Sequence, residues 1–497
     1  MNLIIKFVGI LIFFINGFLL FSIFGKIFRK LEKLFLGFLL YSAIFTFTFF
    51  FFNLYLNTKY SICSGFLIHL SYTVIFLLTN SIVYFKRKVY KEEKPEKSFL
   101  PSFKPWELIL IICISVYVLI PIVKGFLNPI SSWDALVLYD FYGKVFANEG
   151  IMNSTLKYGY YNAYPFYVHL MHTWAYLLGF ETPLFTHGLM YGCFIGAIWV
   201  FLYRSFSSSI GKWLGIIALL GIGSLYSHAT KGYNNLAPTF FLSLAFLMAY
   251  RWWEEKDYKF LILSASFGAA NLWCRSGEPW YLSLLIAYIL GVFKVKNISL
   301  LKRIVIIFTS IIILFSTKTA WEYSLSNWEK LLTNKQKIEN VKKENPNKND
   351  NNNSINTTKK DSILKRLTNS ILAPFGTLKY FTPERIIKYV PIAIPFAFKA
   401  TVYSRWMYFL IFILAFMLFL IDKEIRENPS LWLVAFFFIV NTLIIFVGTY
   451  IFIQNFRDWN IPGSAYRMSI FLEPLSIIFA ILVGKKVEKR YFSNEEV

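Results

Sequence analysis

The run "WELILIICISVYVLIPIVKG" at positions 106–125 has one acid near its start, one lysine near its end and nothing charged between them. A stretch of that length and hydropathy matches the hydrocarbon core of a bilayer, about 30 Å thick. Runs like it recur along most of the 497 residues. They leave no room for a large separate soluble domain. Each must satisfy its backbone polar groups within its own helix, so the sequence predicts an all-α polytopic membrane protein folded as a helical bundle.

Composition agrees: 56% of residues are apolar, 20% aromatic and 16% charged. We count about thirteen spans, at 3–24, 34–52, 62–85, 106–126, 183–203, 213–226, 236–250, 260–274, 280–293, 304–320, 402–421, 431–453 and 468–483. The first run is long for a signal h-region and no small-x-small site follows it, so it is expected to remain as an anchor. Cys63, Cys113, Cys193 and Cys274 fall inside or at the ends of spans. That arrangement is neither a disulfide framework nor a zinc spacing.

A net charge of +23 would suit a nucleic-acid partner, but the cations cluster in short connections between apolar runs. That is the pattern by which helices are oriented across a membrane. The connections at 25–33, 86–97, 204–212, 251–259, 294–303, 422–429 and 484–492 are therefore expected in the cytoplasm. The N-terminus then lies outside and the C-terminus inside. The sequence divides into an N-terminal three-helix element with a basic cytoplasmic linker (1–105), a catalytic membrane core (106–321), a long outer loop (322–401) and a C-terminal three-helix region with a basic tail (402–497). A first outer loop at 127–182 includes the short apolar segment "YYNAYPFYVHLMHTWAYLLG" (160–179), which reads as a helix lying in the interface. In the second, the asparagine- and lysine-rich tract 340–361 cannot build a core and is expected to be disordered. Beyond it, Thr382 and Pro383 start a surface helix that Pro391 and Pro395 are expected to keep from spanning.

Ionisable groups at a membrane are costly and often functional. Here they gather on the outer face. Asp134, Asp140 and Lys144 lie in the first outer loop, His228 and Lys231 in "SHATKGYNN", Arg275 and Glu278 in "NLWCRSGEPW", and Arg457, Asp458 and Arg467 in the last outer connection.

The order "SWDALVLYDFYGKVFANEG", "YYNAYPFYVHL", "KGYNNLAPTFFLSLAFLMAYRW", "NLWCRSGEPWYL", "SAYRMSIFLEPL" resembles the integral-membrane glycosyltransferases of the GT-C class, nearest to bacterial branches related to protein O-mannosyltransferases and lipid A aminoarabinose transferases. The resemblance covers about 106–483, with the first three spans as an added element. It implies a GT-C-like fold, a polyprenyl-phosphate-linked sugar as donor substrate, membrane lipid and an extracytoplasmic acceptor as partners, and Asp134 as the catalytic or metal-associated acid, with a divalent cation as an optional cofactor. Two departures stand out: "WDA" replaces the acidic pair of protein mannosyltransferases, and "GYNN" stands where relatives often have an aspartate. Transfer to a protein hydroxyl is therefore not implied.

Residue types fit this chemistry independently. Transfer to a hydroxyl needs a carboxylate to accept its proton, and Asp134 is the candidate base. A departing phosphate needs fixed cations, for which Arg275, Arg467 and Lys231 are the candidates, with Glu278 orienting Arg275. Trp133, Tyr139, Tyr142, Tyr160, Tyr161 and Tyr164 offer stacking faces for sugar and acceptor. Each has a plainer alternative. Asp134 follows two serines and would suit the first turn of a helix. Asp140 and Lys144 are spaced as an i,i+4 surface pair, and on a continuous helix Asp134 and Asp140 sit about 120° apart. Arg275 and Arg467 also fit interfacial anchors. His169, His172 and His187 could ligate a metal, although satisfied interfacial histidines are far commoner.

Three function classes follow: a lipid-phosphate-dependent inverting glycosyltransferase, a ligase or polymerase of lipid-linked glycans, and a transporter or flippase. The last would show broken helices and charges near mid-membrane, which the sequence pattern does not suggest. No soluble nucleotide-binding fingerprint points to a nucleotide-sugar donor.

Overall fold

The computed structural model describes residues 3–89, 103–152, 154, 158, 164–206, 208–275, 279–294, 299–344, 373–455 and 461–491. Among these, no strand occurs. The helices are α1 (Leu3–Ser22), α2 (Lys30–Leu56), α3 (Ile62–Val89), α4 (Pro105–Leu127), α5 (Phe141–Glu149), α6 (Tyr167–Leu177), α7 (Phe185–Ser205), α8 (Ser209–Leu220), α9 (Gly223–Lys231), α10 (Leu236–Glu255), α11 (Tyr258–Cys274), α12 (Tyr281–Lys294) and α13 (Leu300–Glu344). After these come α14 (Pro383–Phe398), α15 (Trp406–Ile421), α16 (Lys423–Arg426), α17 (Pro429–Asn455), α18 (Ile461–Met468) and α19 (Leu472–Tyr491). Single π-helical stretches precede α5 (Ala135–Asp140) and α15 (Lys399–Tyr403).

Nine helices among the described residues are long and apolar enough to cross a membrane, or ten if α8 and α9, bent by 50° at their break, form one span. The chain is an all-α polytopic membrane protein. Every expected span falls on a helix, but α10, α11, α12 and α15 are not among these nine candidates. Helices α10 and α11 are buried on nearly every side and carry Thr239, Ser243, Ser264 and Asn271 inward.

Two expectations are corrected, for α13 and α6. Helix α14 runs through Pro391 and Pro395, and 383–403 is a candidate span by length and composition alone. A proline inside a helix removes one hydrogen bond, and the adjacent π turn absorbs the mismatch. Helix α13 passes the expected span end at 320 and continues to Glu344, because 321–344 contains strong helix formers and neither glycine nor proline. Helix α6 does not lie on a lipid surface: its residues from Tyr167 to Ala175 are all buried, with the Trp174 indole donating to the Gly9 carbonyl (3.1 Å) and the Tyr167 and Ser42 hydroxyls 2.8 Å apart. Most of the expected disordered tract lies outside the described residues.

Two kinds of helix build the bundle. In α4 only 11% of the apolar window is buried, which leaves its flank to lipid, whereas 78% of the α7 window is inside. Close approach is bought with small residues. A Cβ on Gly17 would lie 2.3 Å from the Gly37 carbonyl carbon, so α1 and α2 touch backbone to backbone. A Cβ on Gly188 would lie 2.6 Å from the Ile122 amide, which seats α7 equally close to α4.

Charged contacts lie at the two ends. At one, Arg251 meets Glu32 (3.2 Å), Lys486 meets Glu254 (3.0 Å) and Arg490 meets Asp422. These tie together connections that the loop charges assign to the cytoplasm. At the other end, Arg467 meets Asp134, Arg275 meets Asn235, and Ser224 meets Glu473. Each of these contacts joins segments that loop charge assigns to the same face.

Candidate functional site

Chain leaving α4 is irregular through Ser132, and the Leu136 amide then closes onto the Ser132 carbonyl (2.9 Å), starting a helical turn with Asp134 in it. That turn opens directly into the π-helical stretch Ala135–Asp140. Its i→i+5 bonding alters the angle that a continuous α-helix would set between Asp134 and Asp140. Arg467 Nη1, on the far side of the sequence, donates to Asp134 Oδ2. Both side chains are partly open, at 34% for Asp134 and 44% for Arg467.

Tyr139, one turn further on, is buried and lies within the electrostatic reach of Tyr164, Arg275, Asp134 and Arg467. Burial, more than any neighbour, raises its hydroxyl well above the usual tyrosine range, so it stays protonated as a donor. Its ring centroid is 6.2 Å from that of Tyr164, and the Arg275 guanidinium stands 5.4 Å from the Tyr164 ring. Arg275 follows the last residue of α11, its amide closing onto Asn271 (2.9 Å) and its Nη1 donating to Asn235 Oδ1. The neighbouring Asn234 donates to the Cys274 carbonyl (3.2 Å). So "GYNN" and "CR", forty positions apart, form one unit.

Lys231 ends α9 and is exposed, and Gly232 follows with φ 76°, a left-handed cap that turns the chain sharply. Lys231, Arg405 and Arg467 all lie within electrostatic reach of the buried His228, whose Nδ1 donates to the Ser224 carbonyl at 2.7 Å. The structure therefore brings Asp134, Tyr139, Tyr164, Lys231, Arg275 and Arg467 to one end of the bundle.

Other sequence-derived candidates sit elsewhere. Asp140 is buried beneath this site, holding Lys144 Nζ at 2.8 Å and accepting from the Tyr176 hydroxyl, with His172 Nδ1 at 3.7 Å. Tyr142 packs against Phe146, Phe166 and His169 as part of the core. Trp133 projects outward at 76% exposure. Glu278, Tyr160, Tyr161, Arg457 and Asp458 lie outside the described residues. His172 and His187 face each other, Nε2 to Nε2, at 3.1 Å. Among the described residues no group of three or more His, Cys, Asp or Glu side chains could hold a metal ion. Burial lowers His169 and His172 to about 3, so both are neutral.

No family model, curated protein or solved structure matches the chain. Its site is read from its own residues. Two of these were not singled out in the sequence: Arg405 and Glu473, joined at 2.6 Å and both buried. The available signal was Glu473 itself, an acid inside the apolar run "SIFLEPLSIIFA". Among the described residues the arrangement sets the partly open Asp134 carboxylate near Arg467 and Arg275 and beside the Tyr139 and Tyr164 rings. Such a place suits an anionic headgroup and a polyhydroxylated ligand.

Proposed function

We propose that this chain is an inverting membrane glycosyltransferase that moves a sugar from a polyprenyl-phosphate-linked donor to an extracytoplasmic glycan, lipid or protein acceptor. The observation that carries the reading is the convergence of Asp134, Arg275, Lys231 and Arg467, from four separate connections, at one end of the bundle. In this reading the acceptor oxygen forms its bond to the anomeric carbon as the bond from that carbon to the phosphate oxygen breaks. The hydroxyl proton goes to Asp134, and the electron pair leaves with polyprenyl phosphate. Arg275, Arg467 and Lys231 meet the phosphate oxygens, and Tyr139 and Tyr164 hold the sugar. The thirteen-span topology, with the N-terminus and the site outside and the C-terminus in the cytoplasm, belongs to the same proposal.

The test uses native membranes and a panel of polyprenyl-phosphate sugars, comparing the unaltered protein with Asp134→Asn. Release of polyprenyl phosphate by the first and none by the second, with both folded, is the expected result. Equal turnover would move the base elsewhere.

One observation favours a lipid-linked sugar transporter or flippase instead. Helices α8 and α9 are bent by 50° at a short break, and the buried Arg405–Glu473 pair contacts that break through Ser224. Broken helices beside buried charge are common at transport sites. Movement of a labelled lipid-linked sugar across vesicles, with no phosphate release, would select that reading.

A further inference from the structure

Arg405 lies between the π-helical Lys399–Tyr403 stretch and α15 with 6% of its side chain exposed, and Glu473, in the first turn of α19, is fully buried. Their contact at 2.6 Å occupies one arm of the guanidinium. Its Nε donates to Ser469 Oγ (3.1 Å) and its Nη2 to the Tyr466 carbonyl (3.3 Å), while the whole group lies 4.1 Å from the Tyr466 ring centroid. Glu473 in turn accepts the Ser224 hydroxyl through Oε2. The turn between α8 and α9 is tied to the same place a second time, by the Tyr408 hydroxyl on the Gly221 carbonyl (3.3 Å).

Arg467 sits between the two residues that Arg405 grips. Its own pair with Asp134 is partly open to solvent, and such pairs contribute little. That contact is too weak to place a long side chain. The grip beneath it is buried, planar and threefold, which only a guanidinium supplies.

We propose that Arg405 and Glu473 are positioning residues: they fix residues 466–469 against the α8–α9 turn and so hold Arg467 opposite Asp134. The kinetic part of this inference rests on the transferase reading, and the geometric part does not. Removing one partner alone would leave a buried charge and endanger folding, whereas removing both charges together need not.

Asp134 and Arg467 are replaced by cysteine, so that their ion pair is gone, in a protein whose exposed Cys63 and Cys113 are serine. A short bis-maleimide then reports where the two backbones stand. With Arg405 and Glu473 intact the pair cross-links efficiently. With Arg405→Gln and Glu473→Gln together, or with Arg405→Lys alone, the yield falls about tenfold, while detergent melting temperature stays near that of the parent. Unchanged yield in both variants overturns the proposal.

Separately, Arg405→Lys in the otherwise native protein is expected to lower kcat for donor cleavage about 100-fold with little change in donor KM. An unchanged kcat overturns the kinetic part. If the unaltered protein cleaves no donor, the transferase reading fails while the cross-linking result still decides the geometry.

Discussion

Arg467 donates to the Asp134 carboxylate across 333 positions of sequence, joining the first connection after α4 to the last one before α19. A contact at that separation ties two distant segments of the chain together. It also pairs the Asp134 carboxylate with a cation.

Asp134→Asn should therefore leave stability within about 1 kcal/mol, because the pair it breaks is half-open. Donor cleavage should drop by about 100- to 10,000-fold, the range of a lost general base. Thermal melting in detergent and polyprenyl phosphate release, measured on the same preparation, check both statements.

Arg275 depends on Asn235 and on the Tyr164 face. Tyr164→Phe keeps a ring for the guanidinium and should be nearly silent, whereas Tyr164→Ala should weaken donor binding by about fivefold, in line with about 1 kcal/mol for an exposed cation–π contact. Equal effects of the two variants would show that the ring does not matter.

Buried His169 and His172 give a pH dependence with a definite sign. Both are lowered from 6.5 to about 3, mainly by desolvation. Between those values the unfolded chain binds protons that the folded chain refuses, so stability falls as pH drops from about 6.5 toward 3 and is flat above. Melting temperature followed from pH 7.5 to 4.5 in about half-unit steps should show this, and His169→Asn should flatten the curve.

Orientation is open to a direct measurement. Cysteine placed at Trp133, which is exposed, should react with an impermeant maleimide added to intact cells, and cysteine at Lys489 should react only after lysis. The reverse pattern would invert the proposed topology.

The legible part of the fold was what hydropathy encodes: each apolar run became a helix, and ion pairs join the basic connections at 25–33, 251–259, 422–429 and 484–492. Asp134, Arg275 and Arg467 were legible for a related reason, since charges at the edges of apolar runs stand out against them. Glu473 and Arg405 were harder. One interrupts a run that reads as plain span, the other sits between Ser404 and Trp406 like an interfacial anchor, and their pairing exists only in three dimensions. Helix α6 misled for the opposite reason: its length and aromatic content suit an interface, but Tyr167 and Trp174 find partners on α2 and α1 and draw it into the bundle. Nor does any residue pattern announce the π-helical stretch at Ala135–Asp140, which re-aims Asp134 relative to Asp140.

The contact between Gly17 and Gly37 works as a key. Where two backbones meet with no room for a methyl group, only one rung of each helix can occupy the crossing, since a slip by one residue would drive the side chain of Asn16, Phe18, Leu36 or Phe38 into the gap. Helices α1 and α2 thus have a single mutual register. The outer surface of α2, on which α6, α7 and α11 later pack, has its orientation set from within the hairpin.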